Sequence, residues 1–333
     1  MSPTHWREFG AIAVNKMAQA QPGEKLLILT DTRTDQKIAE ACREAGIAAG
    51  IDTRYQVIPY LEPTDTRELE PDAAQAILDA DVILGICETM FDEKEAARLA
   101  RKNGTRITIT APGGMEDFLI SGICDVDYDL MLRVAERARE LWAGAELCRI
   151  TSSLGTDIRF GMQGRPVLIG DGMATQPGEL DFFPGVSIAN APIEDTIQGT
   201  IVIDGNIPPG KLVEEPVICD LDKGVITRID GGRDAAELEA YFAESGDPVA
   251  KHLCHFTLGL NPGAKTTGHV HQDEHVLGAV TFGFGSQDPD FQGTVPPCQV
   301  HCDVVLRSPT ILLDGTLFCR DNQLNNDLGL GGL

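Results

Sequence analysis

The chain changes texture near residue 147, and that change limits the folds open to it. Before this point, short apolar runs alternate with helical periodicity. Lys25-Leu-Leu-Ile-Leu-Thr30 follows the Pro22-Gly23 turn and reads as a buried parallel strand, and Asp35 to Ala45 has helical spacing that stops at Gly46. Asp81-Val-Ile-Leu-Gly-Ile86 and Arg106-Ile-Thr-Ile-Thr110 read as further strands, with a helical stretch from Glu93 to Lys102 between them. Val126 to Glu146 reads as a long amphipathic helix. Short β-type segments with frequent Gly and Pro follow: Cys148 to Thr151, Asp157 to Phe160, Thr200 to Ile203, Val225 to Ile229, Val276 to Phe284 and Thr310 to Leu313. Helical spacing returns only at Asp234 to Glu244. The expected architecture is an α/β domain with a mostly parallel sheet over residues 1–147, followed by an α+β, β-rich catalytic metal-binding domain over residues 148–333. The tail from Asp321 to Leu333 is polar and Gly-rich, and is expected to be loose unless a partner subunit holds it.

Six of the seven histidines lie between His252 and His301. Histidine is the commonest metal-binding side chain, so this concentration points to a metal site. His301-Cys302-Asp303 sits in a run of β-formers, Cys298 to Leu306, after Pro296-Pro297. Side chains two apart on a strand share a face about 7 Å apart, so His301 and Asp303 converge on one ion while Cys302 faces the other layer. Five histidines compete to supply a third ligand: His252, His255, His269, His271 and His275. His255 is preferred because its segment is apolar and strand-like and runs into the Gly259-Leu-Asn-Pro262 turn, whereas His269 and His271 sit in a mobile-looking connection. Two histidines and one carboxylate suit non-haem Fe(II) with positions open for substrate and O2; they also suit Zn²⁺ with an activated water.

The chain has 333 residues and 42% hydrophobic content, enough for a substantial core, and a net charge of −24 that argues against nucleic acid or anionic membrane surfaces as partners. Nine cysteines, odd in number and without a CxxC, suit free thiols in a reducing cytoplasm. The N-terminus lacks a basic start followed by an apolar run, and no segment reaches membrane-spanning length. No GxSxG supports a serine triad, and Gly113-Gly114 belongs to no nucleotide-binding motif. A cupin reading of Gly263, His269, His271 and Glu274 fails on the short gap to Glu274. A non-catalytic binding module is the remaining plain alternative.

Several motifs occur in the order found in the aminopeptidase T family of metallopeptidases, and the C-terminal half resembles that family. They are Gly155-Thr-Asp-Ile-Arg-Phe160, Phe183-Pro-Gly185 with Ala191-Pro-Ile-Glu-Asp-Thr196, Gly199-Thr-Ile-Val-Ile-Asp204, Gly259-Leu-Asn-Pro262, Asp273-Glu274 and His301-x-Asp303. The resemblance implies two metal ions held by glutamates and a histidine, but the corresponding positions here look like Ser187, His255 and Thr281, with only His301 and Asp303 kept. That pattern is similar to the ring-cleaving branch of the fold, the 2,5-dihydroxypyridine 5,6-dioxygenases. The branch implies a mononuclear Fe(II) bound by His255, His301 and Asp303, O2 as co-substrate, and an extradiol-type opening of a hydroxylated N-heteroaromatic ring to an N-formyl amide acid. A metal-dependent aminopeptidase or amidohydrolase is the alternative. Glu194, in a turn between apolar segments, is the first candidate to contact the small aromatic substrate. Glu274, His275, Ser187 and Thr281 are further candidates for the pocket. His5 is the only histidine of the N-terminal half, so an acid or base supplied from that domain is not evident. A cytoplasmic homo-oligomer is expected.

Overall fold

The computed structural model of the protein describes residues 3–62, 65–111 and 113–333. The chain divides into two compact units, residues 1–126 with 170–185, and residues 127–169 with 186–333. The boundary placed near residue 147 therefore falls inside the second unit. Texture follows local composition, whereas unit membership follows which strands and helices a segment packs against.

In the first unit five strands pair in the order Asp52–Ile58, Lys25–Asp31, Val82–Ile86, Arg106–Thr110, Leu180–Phe182, with every neighbouring pair parallel. The inner strands are buried almost throughout, which is why they read as continuous apolar runs. Asp52–Ile58 lies at one edge and is half exposed, so its sequence carries no such run. The opposite edge strand, Leu180–Phe182, comes from the segment that returns to this unit. Gly46, expected to stop its helix, lies inside helix Gln36–Ala48. A Cβ there would sit 2.5 Å from Thr53 Oγ1 and 3.0 Å from Leu26 Cδ2, so the glycine permits close helix-to-sheet packing instead.

The second unit holds an antiparallel sheet of eight strands and a second of five. The five-stranded sheet carries His255 and His301, in the order His301–Leu306, Val280–Gly285, Leu253–Gly259, Ser187–Asn190, Val167–Gly170. Of Val276 to Ala279, expected to begin the Val280 strand, Val276 makes only an isolated bridge with Asn261 and residues 277–278 are a turn. Helix Tyr128–Ala143 starts at Asp127, whose side chain accepts from the Leu130 amide, and buries Met131, Val134, Ala135, Ala138 and Trp142 along one stripe. Trp142 stacks on Phe256 with centroids 4.5 Å apart, and Phe160 tilts against the same ring at 4.8 Å. Phe256 follows His255 on its strand, so this aromatic core anchors the strand from the face opposite the histidine.

Two segments expected to be loose are ordered by specific contacts. The C-terminal tail is held by its own unit: Gln323–Leu324 pairs with Thr316–Arg320, Arg137 Nε donates to the Leu328 carbonyl at 3.0 Å, and Leu330 is buried. The connection carrying His269 and His271 forms a helical turn, Val270–Asp273. Its anchor is the fully buried Asp273 carboxylate, which accepts from the Thr267 amide at 2.6 Å and from the Gly268 amide and Asn206 Nδ2, both at 2.9 Å. All nine cysteines are free thiols, and among the described residues no helix is long and apolar enough to cross a membrane.

Candidate metal centre

The antiparallel registry of three adjacent strands lines up His255, Gly283 and Asp303 in one row. Gly283 has no side chain, and the His255 ring occupies the space a Cβ there would take, with ring atoms Cε1 and Nδ1 nearest. The ring thereby crosses the central strand, placing Nε2 3.4 Å from Asp303 Oδ1. His301 Nε2 lies 3.1 Å from Asp303 Oδ2, and the two imidazoles stack with centroids 5.3 Å apart and planes 10° apart. The three residues are thus brought together, with one carboxylate serving both rings. Gly283→Ala is expected to displace His255 and weaken metal binding about 10–100-fold, the range seen when the support of a ligand is lost; equilibrium dialysis with Fe²⁺ checks this.

The far side of each ring is also held. His301 Nδ1 lies 2.8 Å from the Ser286 carbonyl and donates to it, so Nε2, whose proton faces Asp303, is the nitrogen left for a metal ion once that proton is displaced. His255 Nδ1 lies 3.5 Å from Cys254 Sγ, which is also 3.9 Å from His301 Nδ1. Alternation alone would turn Cys254 to the opposite face. However, the pairing steps from Leu253–Phe284 to His255–Gly283, so Cys254 is the extra residue of a β-bulge and its thiol swings toward the histidines.

Burial opposes charge on both rings, but hydrogen bonding and charge from Asp303 and Cys254 outweigh it, raising His255 to about 9 and His301 to about 11. Burial likewise works against the Asp303 carboxylate, and its bonds to His255 and His301 overcome this and hold it well below the usual range. At neutral pH both imidazoles therefore carry protons that a metal ion must displace. Divalent-ion affinity is expected to rise as pH rises through the neutral range, with protons released on binding. Calorimetry in buffers of differing ionisation enthalpy measures that release; an affinity independent of pH would contradict it.

The segment after the central strand covers the site. Gln287 Nε2 donates to the Cys254 carbonyl at 2.5 Å, and Phe291 stacks on His255 with centroids 5.4 Å apart. Glu194 fastens this segment: its Oε1 accepts from the Thr294 amide at 2.6 Å, its Oε2 pairs with Arg165 Nη2, and Arg165 Nη1 donates to the Gln292 carbonyl. Glu194 is thus engaged in holding the cover. Ser187 and Thr281 lie on the same sheet face as His255, Ser187 opposite Gly259 and Thr281 opposite Thr257. Both are buried, and Thr281 Oγ1 has no hydrogen-bond partner among the described residues. Glu274 belongs elsewhere, 3.2 Å from His271 Nδ1 and 3.8 Å from His275 Nδ1. Burial pushes His275 down to about 4, so its ring is neutral. Sequence reasoning missed Cys254, Gly283 and Phe291; the glycines of Phe282-Gly-Phe-Gly285 were the only signal of a close approach.

A family model described as 2,5-dihydroxypyridine 5,6-dioxygenase (NicX) matches residues 11–326. A curated 2,5-dihydroxypyridine 5,6-dioxygenase from Pseudomonas putida KT2440 is 30% identical over 254 residues, 73% of this chain and 70% of that protein. The solved structure of the 2,5-dihydroxypyridine dioxygenase from Pseudomonas putida KT2440 superposes with a TM-score of 0.77 at 22% identity, covering 98% of each chain. Wild-type AmpT from Thermus thermophilus superposes with a TM-score of 0.68 at 14% identity, covering 96% of this chain and 99% of that one. The protein has the aminopeptidase T-like fold, with an α/β unit built on a parallel sheet and a second unit built on antiparallel sheets.

Proposed function

The chain belongs to the 2,5-dihydroxypyridine 5,6-dioxygenase family, and we propose that it opens a hydroxylated N-heteroaromatic ring, such as 2,5-dihydroxypyridine, at a single Fe(II) centre held by His255, His301 and Asp303. The observation that carries this reading is the shared carboxylate: one Asp303 faces both imidazole Nε2 atoms, at 3.4 and 3.1 Å. Two bridged ions need several carboxylates, whereas this donor set fits one ion and leaves coordination positions open. Ferrous ion bound there would supply O2 activation and a Lewis acid for the ring hydroxyl.

The remaining work falls to the protein. Ser286 and Cys254 fix the orientation of the two rings from behind, so that Nε2 of each would be available to an ion held beside Asp303. Phe291 stacks on His255 and excludes water from that side. The Glu194–Arg165 pair holds the covering segment in place, and we assign Glu194 this positioning role. The Thr257, Thr281 and Ser187 hydroxyls line the same sheet face and supply hydrogen-bonding groups toward a polar ring. The nine free thiols support a reducing, cytoplasmic location.

The net reaction breaks the C5–C6 ring bond and places both atoms of O2 in the product. Anaerobically purified protein, loaded with Fe²⁺ and given 2,5-dihydroxypyridine under ¹⁸O₂, should yield a product heavier by two labelled oxygens, with one O2 consumed per ring. Label drawn from water, or hydrolysis of a peptide amide without O2 uptake, would overturn the reading in favour of an activated-water hydrolase.

A further inference from the structure

We propose that His271, Glu274 and His275 bind a second divalent cation of the Zn²⁺ class, at a site that shares no residue with the His255 centre. His271-Gln-Asp-Glu-His275 has H-x-x-E-H spacing, which puts two imidazoles at i and i+4 and a carboxylate at i+3. On a helical turn these positions share one face, and the same spacing serves zinc in inverted zinc-peptidase motifs. The segment does form such a turn: Val270–Asp273 is helical and Glu274 continues in the right-handed helical conformation.

The side chains meet as the spacing requires. One donor atom from each of the three residues lies within 4.8 Å of the others, with His271 Nδ1 3.2 Å from Glu274 Oε1 and the two rings edge-on at 5.0 Å between centroids. Donors about 2.0–2.1 Å from a common tetrahedral ion stand about 3.3 Å apart, so small rotamer adjustments close the set around a cation. His275 Nδ1 lies 2.6 Å from the His271 carbonyl, to which it donates, and 3.8 Å from Glu274 Oε1; coordination through Nε2 keeps that bond, and coordination through Nδ1 replaces it.

The turn is also fixed by bonds outside the cluster. Asp273 ties it to Thr267, Gly268 and Asn206, and the Asn261 amide donates to the His275 carbonyl at 2.9 Å. Gly259, at the end of the His255 strand, has its missing Cβ replaced by the Glu274–Val276 backbone, with Glu274 O 2.7 Å from that position. Such a frame lowers the ordering cost of coordination. Two imidazoles and one carboxylate suit a dication of this class, and three protein ligands leave a fourth position for water.

The test is a metal count. Iron-loaded protein titrated anaerobically with Zn²⁺, then desalted and analysed for metals, should hold two equivalents per chain. His301→Asn should lose the iron-site equivalent and keep the zinc. His271→Asn and, separately, Glu274→Gln should lose the second equivalent and keep the first, which also reports that each variant is folded. Co²⁺ in place of Zn²⁺ should give intense tetrahedral visible bands in His301→Asn that disappear in the His271→Asn/His301→Asn double variant. Saturation at one metal in the wild type, or a second equivalent that survives both His271→Asn and Glu274→Gln, would overturn the proposal. The zinc count in His301→Asn is independent of whether the His255 centre proves to be an iron dioxygenase.

Discussion

Asp303→Asn should leave the protein folded but unable to hold iron at the proposed centre, and should reduce oxygen-consuming activity by well over about 100-fold, beyond the range for losing a mere supporting contact. The carboxylate is the shared partner of both imidazoles, at 3.4 Å from His255 and 3.1 Å from His301. It is held well below the usual carboxylate range against the pull of burial, so it stays anionic throughout the working pH range. Asparagine keeps the volume and removes the charge, and it turns an N–H donor toward one of the rings. The pocket then presents two imidazoles with no anion to offset a dication, and metal affinity collapses. Iron stoichiometry and O2 uptake measure the loss, with an unchanged far-ultraviolet circular dichroism spectrum as the control for folding. Retention of a full iron equivalent would remove Asp303 from the ligand set.

Trp142→Ala should destabilise the second unit by about 3–5 kcal/mol, the range for removing a large buried aromatic. The indole is 1% exposed, stacks on Phe256 at 4.5 Å and meets Phe318 at 6.1 Å. Its Nε1–H has no hydrogen-bond partner among the described residues, so truncation breaks no polar contact and the cost is cavity and lost packing. Phe256 and His255 are neighbours on one strand with side chains on opposite faces, so slack beneath Phe256 also loosens the ring above the sheet. Urea denaturation should show a lower midpoint with an unchanged slope, and iron affinity should fall with it. A midpoint equal to that of the wild type would mean that the aromatic stack does not support the sheet.

What the sequence makes legible follows from periodicity. Lys25–Asp31, Val82–Ile86 and Arg106–Thr110 stand out because burial on both faces writes an uninterrupted apolar run, whereas the edge strands Asp52–Ile58 and Leu180–Phe182 have no such pressure on them. Likewise His301 and Asp303 form a readable pair, since the period of two puts them on one face whatever the partner strand. The placement of His255 over Gly283 depends on the registry between strands, which no single segment encodes. Cys254 reaches the site only because a bulge breaks the alternation, and a bulge is a property of two strands together. The order of the His269–His275 segment rests on one buried carboxylate, Asp273, whose partners are distant or irregular in the chain. Gly46 shows the opposite error, a glycine that signals a helix end by propensity and serves close packing in the fold.

The proposed centre is a single iron ion among His255, His301 and Asp303. Anomalous diffraction at the iron absorption edge, from crystals of the Fe²⁺-loaded protein grown without oxygen, tests it most directly. One strong peak is expected, bonded to Nε2 of both histidines and to the Asp303 carboxylate. Two peaks bridged by that carboxylate, or a peak away from these three side chains, would contradict it.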